Sequence, residues 1–426
     1  MNFDTILVQG AHDASKNRNA ISVPIYQTSA YSFDTVEFAA DLFDLKTAGD
    51  IYTRISNPTT QVLEERLAML EGGVGALCVS SGQSASLIAI LNIAKAGDEV
   101  VASENIYGGT VNLFGVTLEK LGIKIRFVAS ENIEDYEKEI NDKTVCIFAE
   151  ALTNPKISIA DIEALANLAH SHKLPLIIDG TVTTPYLLRP FEHGADIVVH
   201  SMTKYIASHG SSMGGVIIDS GNFDWGCSDK FKCLTDKDPS YHGLSYTETF
   251  GKAAYIVKAR AQLLRDIGCC ISPFNSYLTL QGLETLSLRM QRHSDSALKV
   301  AEFLEKHPAV KEVKYPGLKN DKYHALAEKY MPKGASSLLS FVIDGDRAVA
   351  TKFIENLKML IHATNIGDTR TIVTYPALTT HRQLSAEQLE ECGISESFIR
   401  LSIGLEDVDD ITSDLDQALN KAIACT

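Results

Sequence analysis

A single lysine, Lys204, stands just beyond a short apolar run in the segment VVHSMTKYIASHG (198–210). A lysine there is either a solvated loop charge or an amine nucleophile whose pKa is lowered by its surroundings. Asp179 ends an earlier apolar run, LPLIID (174–179), so its carboxylate needs a partner. That partner is either the N–H groups of a following helix or the protonated nitrogen of a pyridine ring, which an aspartate keeps electron-withdrawing. A lysine that forms a Schiff base with an aldehyde cofactor would complete such a site.

Small and hydroxyl-bearing residues near these positions could hold an anion. The turn Ser81-Gly82-Gln83 opens a helical stretch, where unpaired backbone N–H groups and the helix dipole favour phosphate; a simple helix cap is the alternative. Ser201 and Thr203 flank the lysine and can donate hydrogen bonds to the same group. Tyr107, in ENIYGGT, can stack on a flat heterocycle, and the following Gly108-Gly109 lets the backbone approach closely.

Two arginines could recognise further anionic groups. Tyr52 and Arg54 lie in IYTRISNPT, and an arginine suits bidentate recognition of phosphate. Arg400 lies in the alternating, strand-like run FIRLSIGLED, and its planar guanidinium matches an α-carboxylate. The alternative for Arg400 is an ordinary surface or interdomain ion pair.

The elements that position these residues are short apolar runs alternating with helical stretches. This pattern predicts an α/β fold with a mostly parallel sheet covered on both faces. In such sheets ligands bind beyond the carboxyl ends of the strands, where Asp179 and Lys204 would converge with the turn after the first strand. The predicted strands are 76–80, 99–103, 124–129, 144–150, 174–179, 196–200 and 214–219, with helices at 61–73, 84–97 and 162–173 between or before them.

The chain divides into three parts. Residues 1–60 are rich in Asn, Ser, Thr and Pro with weak periodicity, which predicts an extended arm able to contact a neighbouring subunit. Residues 61–270 form the large, ligand-binding domain. Residues 271–426 contain a long helical pattern from about 275, a strand-like run at 337–345 and a final helix near 408–423, which predicts a smaller α/β domain.

Composition excludes several classes of protein. The net charge of −15 and the pI near 5.3 argue against nucleic acid as the main partner, because phosphate binding needs a basic face. The eight cysteines lack the spacing of a metal site, and we expect reduced thiols and no metal. The N-terminus lacks the regions of a signal peptide, and no apolar run approaches the roughly 18 residues of a membrane span. We therefore expect a cytoplasmic protein that acts on small molecules.

Several segments together resemble the pyridoxal-phosphate (PLP) enzymes of cysteine and methionine metabolism. The resemblance spans nearly the whole chain and implies PLP-dependent transferase fold type I, with an aspartate-aminotransferase-like large domain and a smaller C-terminal domain. It is carried by VPIYQTSAYSF (23–33), IYTRISNPTTQVLEERLAMLEGG (51–73), VSSGQSA (79–85), ENIYGGTVNLF (104–114), HSMTKYIASHGSSMGGVIIDSGNFDW (200–225), SPFNSYLTLQGLETLSLRMQRH (272–293), TNIGDTRTIVTYPALTTH (364–381) and IRLSIGLED (399–407).

The resemblance also implies a role for each candidate residue. Lys204 would bind the cofactor aldehyde and shuttle protons with help from Tyr107, and Asp179 would pair with the pyridine nitrogen. The remaining cofactor contacts would come from Gly82, Gln83, Ser201 and Thr203 at the phosphate, from Tyr107 stacked on the ring, and from Asn154 near the ring hydroxyl.

The resemblance implies that the substrate and a second subunit complete the site. Arg400, helped by the backbone near Asn365, would clamp the substrate carboxylate. Tyr52 and Arg54 would reach the phosphate of the partner subunit, with Tyr52 also near the substrate. This requires at least a dimer, and we expect a homotetramer built from dimers that share active sites.

The segments YTRISNPT, GNFDW and NIGD resemble the sulfhydrylase branch of the family. That branch implies a γ-replacement in methionine biosynthesis. O-acetyl-L-homoserine and sulfide (or methanethiol) would give L-homocysteine (or L-methionine) and acetate. The alternatives are a methionine or cystathionine γ-lyase and a synthase that uses O-succinylhomoserine. The lyase is disfavoured because methionine lyases commonly carry Cys where this chain has Gly109.

Three positions depart from the family pattern. Gly180 follows Asp179 where Asn is common, Ala207-Ser208 stands where relatives often have two glycines, and Tyr375-Pro376 replaces a frequent His-Pro. None of them removes a residue expected to touch the cofactor.

Overall fold

A seven-stranded sheet forms the centre of the molecule. The computed structural model describes residues 1–379, 382 and 394–424. The strands of this sheet are β1 (Gly75–Val79), β2 (Glu99–Ser103), β3 (Lys124–Val128), β4 (Thr144–Glu150), β5 (Leu176–Asp179), β6 (Ile197–Ser201) and β7 (Gly215–Asp219). Their order is β1-β7-β6-β5-β4-β2-β3, and β7 runs antiparallel to its two neighbours while the others share one direction. The predicted mostly parallel sheet is therefore confirmed.

Helices cover both faces of this sheet. The longer ones in this part are α1 (Phe3–Gln9), α2 (Val36–Phe43), α3 (Pro58–Glu71), α4 (Gly82–Leu91), α5 (Ile133–Glu139) and α6 (Ile162–Ser171). Shorter helical turns span Gly108–Asn112, Leu113–Leu118, Thr184–Leu187, Lys232–Thr235, Tyr246–Phe250, Ala254–Lys258, Ala259–Leu264 and Arg265–Ile267. Successive strand residues point to opposite faces, so Ile178 belongs to the core cluster that contains residues of α3 and α6, while Ile177 belongs to the one that contains residues of α4. Burial on both faces explains why the strands read as continuous apolar runs.

A second sheet lies in the C-terminal part. Its strands are β8 (Val310–Lys314), β9 (Leu338–Ile343), β10 (Ile361–His362), β11 (Ile372–Thr374) and β12 (Phe398–Ser402), in the order β10-β11-β12-β9-β8. All pairs are antiparallel except β10 with β11. The helices that the structure describes in this part are α7 (Pro273–Leu283), α8 (Leu286–Lys306), α9 (His324–Tyr330), α10 (Arg347–Glu355) and α11 (Val408–Ile423).

The structure refines two expectations about helices. The long helical pattern from about 275 is two helices, α7 and α8, separated at Glu284 and Thr285. The N-terminal arm, expected to be extended, contains α1 and α2. Helix α2 begins where the Thr35 hydroxyl accepts a hydrogen bond from the Phe38 N–H at 3.0 Å, a local capping signal that weak periodicity hides.

Membrane-spanning helices and metal-binding clusters can be assessed in the described part of the chain. There, no helix combines the length and apolar character needed to cross a bilayer. The same residues contain no cluster of His, Cys, Asp and Glu side chains that could hold a metal ion. Six described cysteines are free thiols; Cys392, Cys425 and the end of the 364–381 segment (Thr380 and His381) lie outside the described residues.

Candidate active site

The predicted site residues converge on one cavity at the carboxyl ends of the parallel strands. The cavity has a volume of about 500 Å³ and is bounded on its other side by the second sheet and its loops. Of the predicted residues, those that line it are Gly82, Gln83, Tyr107, Asn154, Asp179, Ser201, Thr203, Lys204, Asn365 and Arg400. A larger cavity of about 660 Å³ near Glu131 and Lys322 contains none of them.

Lys204 lies in the turn that follows β6. Its Nζ donates a hydrogen bond to Oδ1 of Asn365 at 2.8 Å. Burial lowers the pKa of the Lys204 amine, and the nearby positive charge of Arg400 lowers it further. The larger fraction of neutral amine makes Lys204 a better nucleophile than a surface lysine. The interpretation of Lys204 as a solvated loop charge is therefore wrong.

Asp179 ends β5 and is held by the turn that follows it. Its Oδ1 accepts a hydrogen bond from the Thr181 N–H at 2.9 Å. Burial raises the pKa of Asp179, and the hydrogen bonds from Thr181 only partly offset this effect. The carboxyl group thus lacks a strong cationic partner among the described residues and lines the cavity. This leaves it suited to a cationic ligand atom.

Glu150, which sequence reasoning did not single out, lies beside Asp179. It ends β4, where it pairs in register with Asp179 of β5. Its Oε1 accepts a hydrogen bond from the Tyr107 N–H at 2.6 Å. Burial raises the pKa of Glu150 well above its usual range, and the adjacent Asp179 raises it further. The available signal was the one used for Asp179, a carboxylate at the end of an apolar strand.

The turn before α4 is both a helix cap and a crowded backbone contact. The Ser81 hydroxyl accepts a hydrogen bond from the Ser84 N–H at 3.2 Å, so the capping interpretation is correct for Ser81. A Cβ atom at Gly82 would lie 2.6 Å from the Cβ of Ser201, so only glycine fits against β6. Gly82 and Gln83, the first residues of α4, line the cavity, and the N–H groups at the start of a helix lack intrahelical partners, which suits a phosphate.

Tyr107 lies at the mouth of the cavity, and its ring is half exposed. Gly109 leaves space for the ring, because a Cβ atom there would lie 2.4 Å from Cε1 of Tyr107. A cysteine at 109, as in methionine lyases, would require this ring to move.

Arg400 is a buried cation without an anionic partner. Its Nη1 donates to Oδ1 of Asn154 at 3.0 Å, and its Nη2 donates to the main-chain oxygen of Asn365 at 2.8 Å and to Oγ1 of Thr374 at 2.6 Å. Burial lowers its pKa to about 10. Nε is buried with no hydrogen-bond partner, and no carboxylate pairs with the guanidinium within the described residues. The alternative of an ordinary ion pair is therefore wrong, and the site has room for an anion.

The three departures have local explanations. A Cβ atom at Gly180 would lie 2.6 Å from the imidazole of His200, which is itself bonded to Glu71 at 2.6 Å. Ser208 has a left-handed φ of 63°, and its hydroxyl donates to the Gly367 main-chain oxygen at 2.9 Å. The Tyr375 hydroxyl donates to the main-chain oxygen of Glu396.

Tyr52 and Arg54 are the two predicted site residues that the structure does not bring to this cavity. The Arg54 guanidinium lies over the Tyr52 ring, 5.5 Å from its centroid, and donates a hydrogen bond to the main-chain oxygen of Arg265. The arm around them exposes large apolar side chains, such as Val36 and Phe43.

Comparisons with known proteins agree with this geometry. The profile of the family described as "Cys/Met metabolism PLP-dependent enzyme" matches residues 4–420. The chain is 50% identical to an O-acetyl-L-homoserine sulfhydrylase of Leptospira meyeri, over 98% of this chain and 96% of that protein. It is 43% identical to a homocysteine synthase of Schizosaccharomyces pombe, over 99% of this chain and 98% of that protein.

A solved structure is similar over the whole chain. It is a crystal structure from Campylobacter jejuni that contains N'-pyridoxyl-lysine-5'-monophosphate. It is 43% identical, with a TM-score of 0.95 over 99% of this chain and 100% of that one. With its α/β fold and its cavity built around Lys204 and Asp179, this chain belongs to the family of PLP-dependent enzymes of cysteine and methionine metabolism.

Proposed function

We propose that this enzyme replaces the γ-acetoxy group of O-acetyl-L-homoserine with sulfide, giving L-homocysteine and acetate, or with methanethiol, giving L-methionine. The names of the relatives that match across the full chain support this reaction. The observation that carries it is Lys204, a lysine of lowered pKa that reaches into a cavity containing both Asp179 and the unpaired cation of Arg400.

The residues present fit the cofactor of the family. Lys204 would attach its aldehyde and Asp179 would pair with its ring nitrogen, which accounts for a buried carboxyl that lacks a cationic partner. Asn154 and Tyr107 would contact the ring. We assign the phosphate to the crowded corner between α4 and β6, formed by Gly82, Gln83, Ser201 and Thr203. When bound, pyridoxal phosphate supplies an electron sink for the bonds at the substrate Cα.

Lys204 is the group that would move protons during the reaction. Within the described residues its amine donates one hydrogen bond, to Asn365, so it can turn toward the Cα and Cβ protons of the substrate. A neutral amine is the form that accepts a proton, and the lowered pKa favours that form. Tyr107 is a candidate helper at the mouth of the cavity. At Cγ, acetate departs and the sulfide sulfur forms the new bond.

Arg400 would bind the substrate carboxylate, with the main chain at Asn365 holding the guanidinium in place. A buried guanidinium without a carboxylate partner is costly unless an anion neutralises it. Its Nε is buried without a hydrogen-bond partner among the described residues, which leaves the cation further uncompensated.

We propose that the arm of residues 1–60 contacts a neighbouring subunit. Tyr52 and Arg54 would then complete the partner's phosphate site, and Tyr52 would lie near its substrate. The exposed apolar side chains of the arm support this arrangement. Residues 61–270 and 271–426 would form the large and small domains of each subunit, and dimers that share active sites would pair as a homotetramer in the cytoplasm.

The experiment is an assay of the purified enzyme with identification of products. O-acetyl-L-homoserine, O-succinyl-L-homoserine and L-methionine are each offered with and without sulfide. We expect homocysteine only from O-acetyl-L-homoserine with sulfide. Release of 2-oxobutyrate from methionine alone would contradict this function and identify a γ-lyase. A preference for the succinyl ester would show that the leaving group is succinate rather than acetate.

A further inference from the structure

Thr374 and Arg400 lie directly opposite each other on two adjacent strands. They are paired residues of the antiparallel strands β11 and β12, so their side chains project from the same face of the sheet. The Thr374 side chain is fully buried, and its Oγ1 accepts a hydrogen bond from Nη2 of Arg400 at 2.6 Å.

The Thr374 hydroxyl can only be an acceptor toward this arginine. Its own hydrogen is directed to the main-chain oxygen of Ala363 at 2.7 Å. The same Nη2 donates to the main-chain oxygen of Asn365 at 2.8 Å, so both of its hydrogens are committed. The hydrogens that these bonds leave uncommitted are that of Nε, which is buried without a partner among the described residues, and the second one of Nη1.

Among the described residues of this sheet, Thr374 is the one whose side chain bonds Arg400. Ser340 of β9 is the paired residue on the opposite side of Arg400. Its hydroxyl is buried but makes no hydrogen bond among the described residues. Orientation of Nη2 therefore depends on Asn365, in a loop, and on Thr374, in a strand.

We infer that Thr374 is a positioning residue that makes the enzyme selective for ligands with an α-carboxylate, by holding the guanidinium of Arg400 at the wall of the cavity. This inference rests on the function proposed above, in which Arg400 binds that carboxylate. Thr374 does not line the cavity, so its effect passes through the guanidinium.

The test uses the holoenzyme and a pair of probes that differ only in the carboxylate. L-norvaline has the amine and carboxylate of the substrate but no γ-leaving group, and n-butylamine is the same molecule without the carboxylate. Binding of each is followed by the change in visible absorption of the bound cofactor. The variants are Thr374→Val, which keeps the shape and removes the acceptor, and Thr374→Ser, which restores it. Thr279→Val is the matched control. Thr279 is a fully buried threonine of α7 whose hydroxyl donates to the Asn275 main-chain oxygen at 2.8 Å, outside the cavity.

We expect Thr374→Val to weaken L-norvaline binding about 10-fold, the usual loss for a hydrogen bond to a charged group, while n-butylamine binding changes less than about twofold. Thr374→Ser and Thr279→Val should both bind L-norvaline within about threefold of the unchanged enzyme. In turnover, KM for the amino acid should rise in Thr374→Val with little change in kcat.

Three results would overturn the inference. Thr374→Val could bind L-norvaline as tightly as the unchanged enzyme, or it could lose affinity for both probes equally. The unchanged enzyme could also fail to prefer L-norvaline over n-butylamine, which would remove Arg400 as the carboxylate site. A failure of the proposed reaction can be distinguished from a failure of this inference, because the binding test uses neither an acetyl ester nor sulfide.

Discussion

The carboxyl groups of Glu150 and Asp179 lie side by side, because these residues occupy paired positions at the ends of β4 and β5. Glu150 also binds the Tyr107 main-chain N–H, so the pair joins the proposed site for the ring nitrogen to the residue proposed to stack on the ring. Two adjacent buried carboxyls oppose each other's ionisation. The electrostatic energy of the site is therefore least favourable when both carboxyls are ionised and no cation is bound.

This pair predicts the pH dependence of stability in the cofactor-free protein. The pKa of Glu150 is raised by burial and by Asp179, so the folded protein holds this proton more tightly than the unfolded chain does. The stabilisation is complete below the ordinary carboxyl range and is lost as the pH rises through the raised pKa. We expect Glu150→Gln to be less sensitive to rising pH in urea unfolding. Glu302→Gln, at an exposed position of α8, is the control. Parallel pH curves for Glu150→Gln and the unchanged protein would contradict this expectation.

Lys204→Ala should reduce sulfhydrylation by more than about 10³-fold, since it removes both the attachment point and the proton shuttle. Borohydride reduction followed by peptide mass analysis should place the cofactor on Lys204 in the unchanged enzyme and on no lysine in the variant. Lys299→Ala, at an exposed position of α8, should behave as the unchanged enzyme in both measurements. Substantial residual turnover by Lys204→Ala would remove the assignment.

Sharing of the site between subunits can be tested by complementation. Lys204→Ala and Arg54→Ala should each be strongly impaired as separate preparations. Co-expressed in equal amounts, they should recover about a quarter of the normal activity, because half the dimers are mixed and each has one intact site. The check is specific activity against the measured subunit ratio. Activity no greater than the sum of the separate variants would mean that Arg54 serves its own chain.

Asp219 gives a second pH effect, remote from the cavity. It ends β7, its Oδ1 accepts a hydrogen bond from the Gly221 N–H at 2.8 Å, and burial raises its pKa to about 7. Its contribution to stability is therefore lost as the pH rises from the ordinary aspartate range to about 7. Asp219→Asn should gain about 1–3 kcal/mol in unfolding free energy relative to the unchanged protein between pH 5 and pH 8. Urea unfolding of the cofactor-free proteins at both values measures this, and an equal difference at the two values would refute it.

The sequence predicted the parallel sheet well for a physical reason. Strands buried on both faces must be apolar throughout, and the polar groups of the site must come at or just after their ends. Asp179 and Lys204 are therefore recognisable in the sequence as polar residues at the ends of apolar runs. The break between α7 and α8 left no comparable signal, because Glu284 and Thr285 are exposed residues of types that also occur on helix surfaces.

The partners of these residues could not be predicted in the same way. Thr374 and Glu150 act through pairings between strands that are distant in sequence, and a one-dimensional pattern does not contain the register of a sheet. Likewise, the need for glycine at Gly180 and Gly109 depends on the positions of a histidine and a tyrosine ring, which only the assembled structure defines.

Asn365 holds Lys204 through its side chain and Arg400 through its main chain. One residue thus accepts hydrogen bonds both from the amine that would do the chemistry and from the guanidinium that would bind the substrate. Any displacement of residue 365 changes one hydrogen bond of each group at once. A shift of Asn365 that changes how Arg400 binds the substrate carboxylate would therefore also change the position of the Lys204 amine.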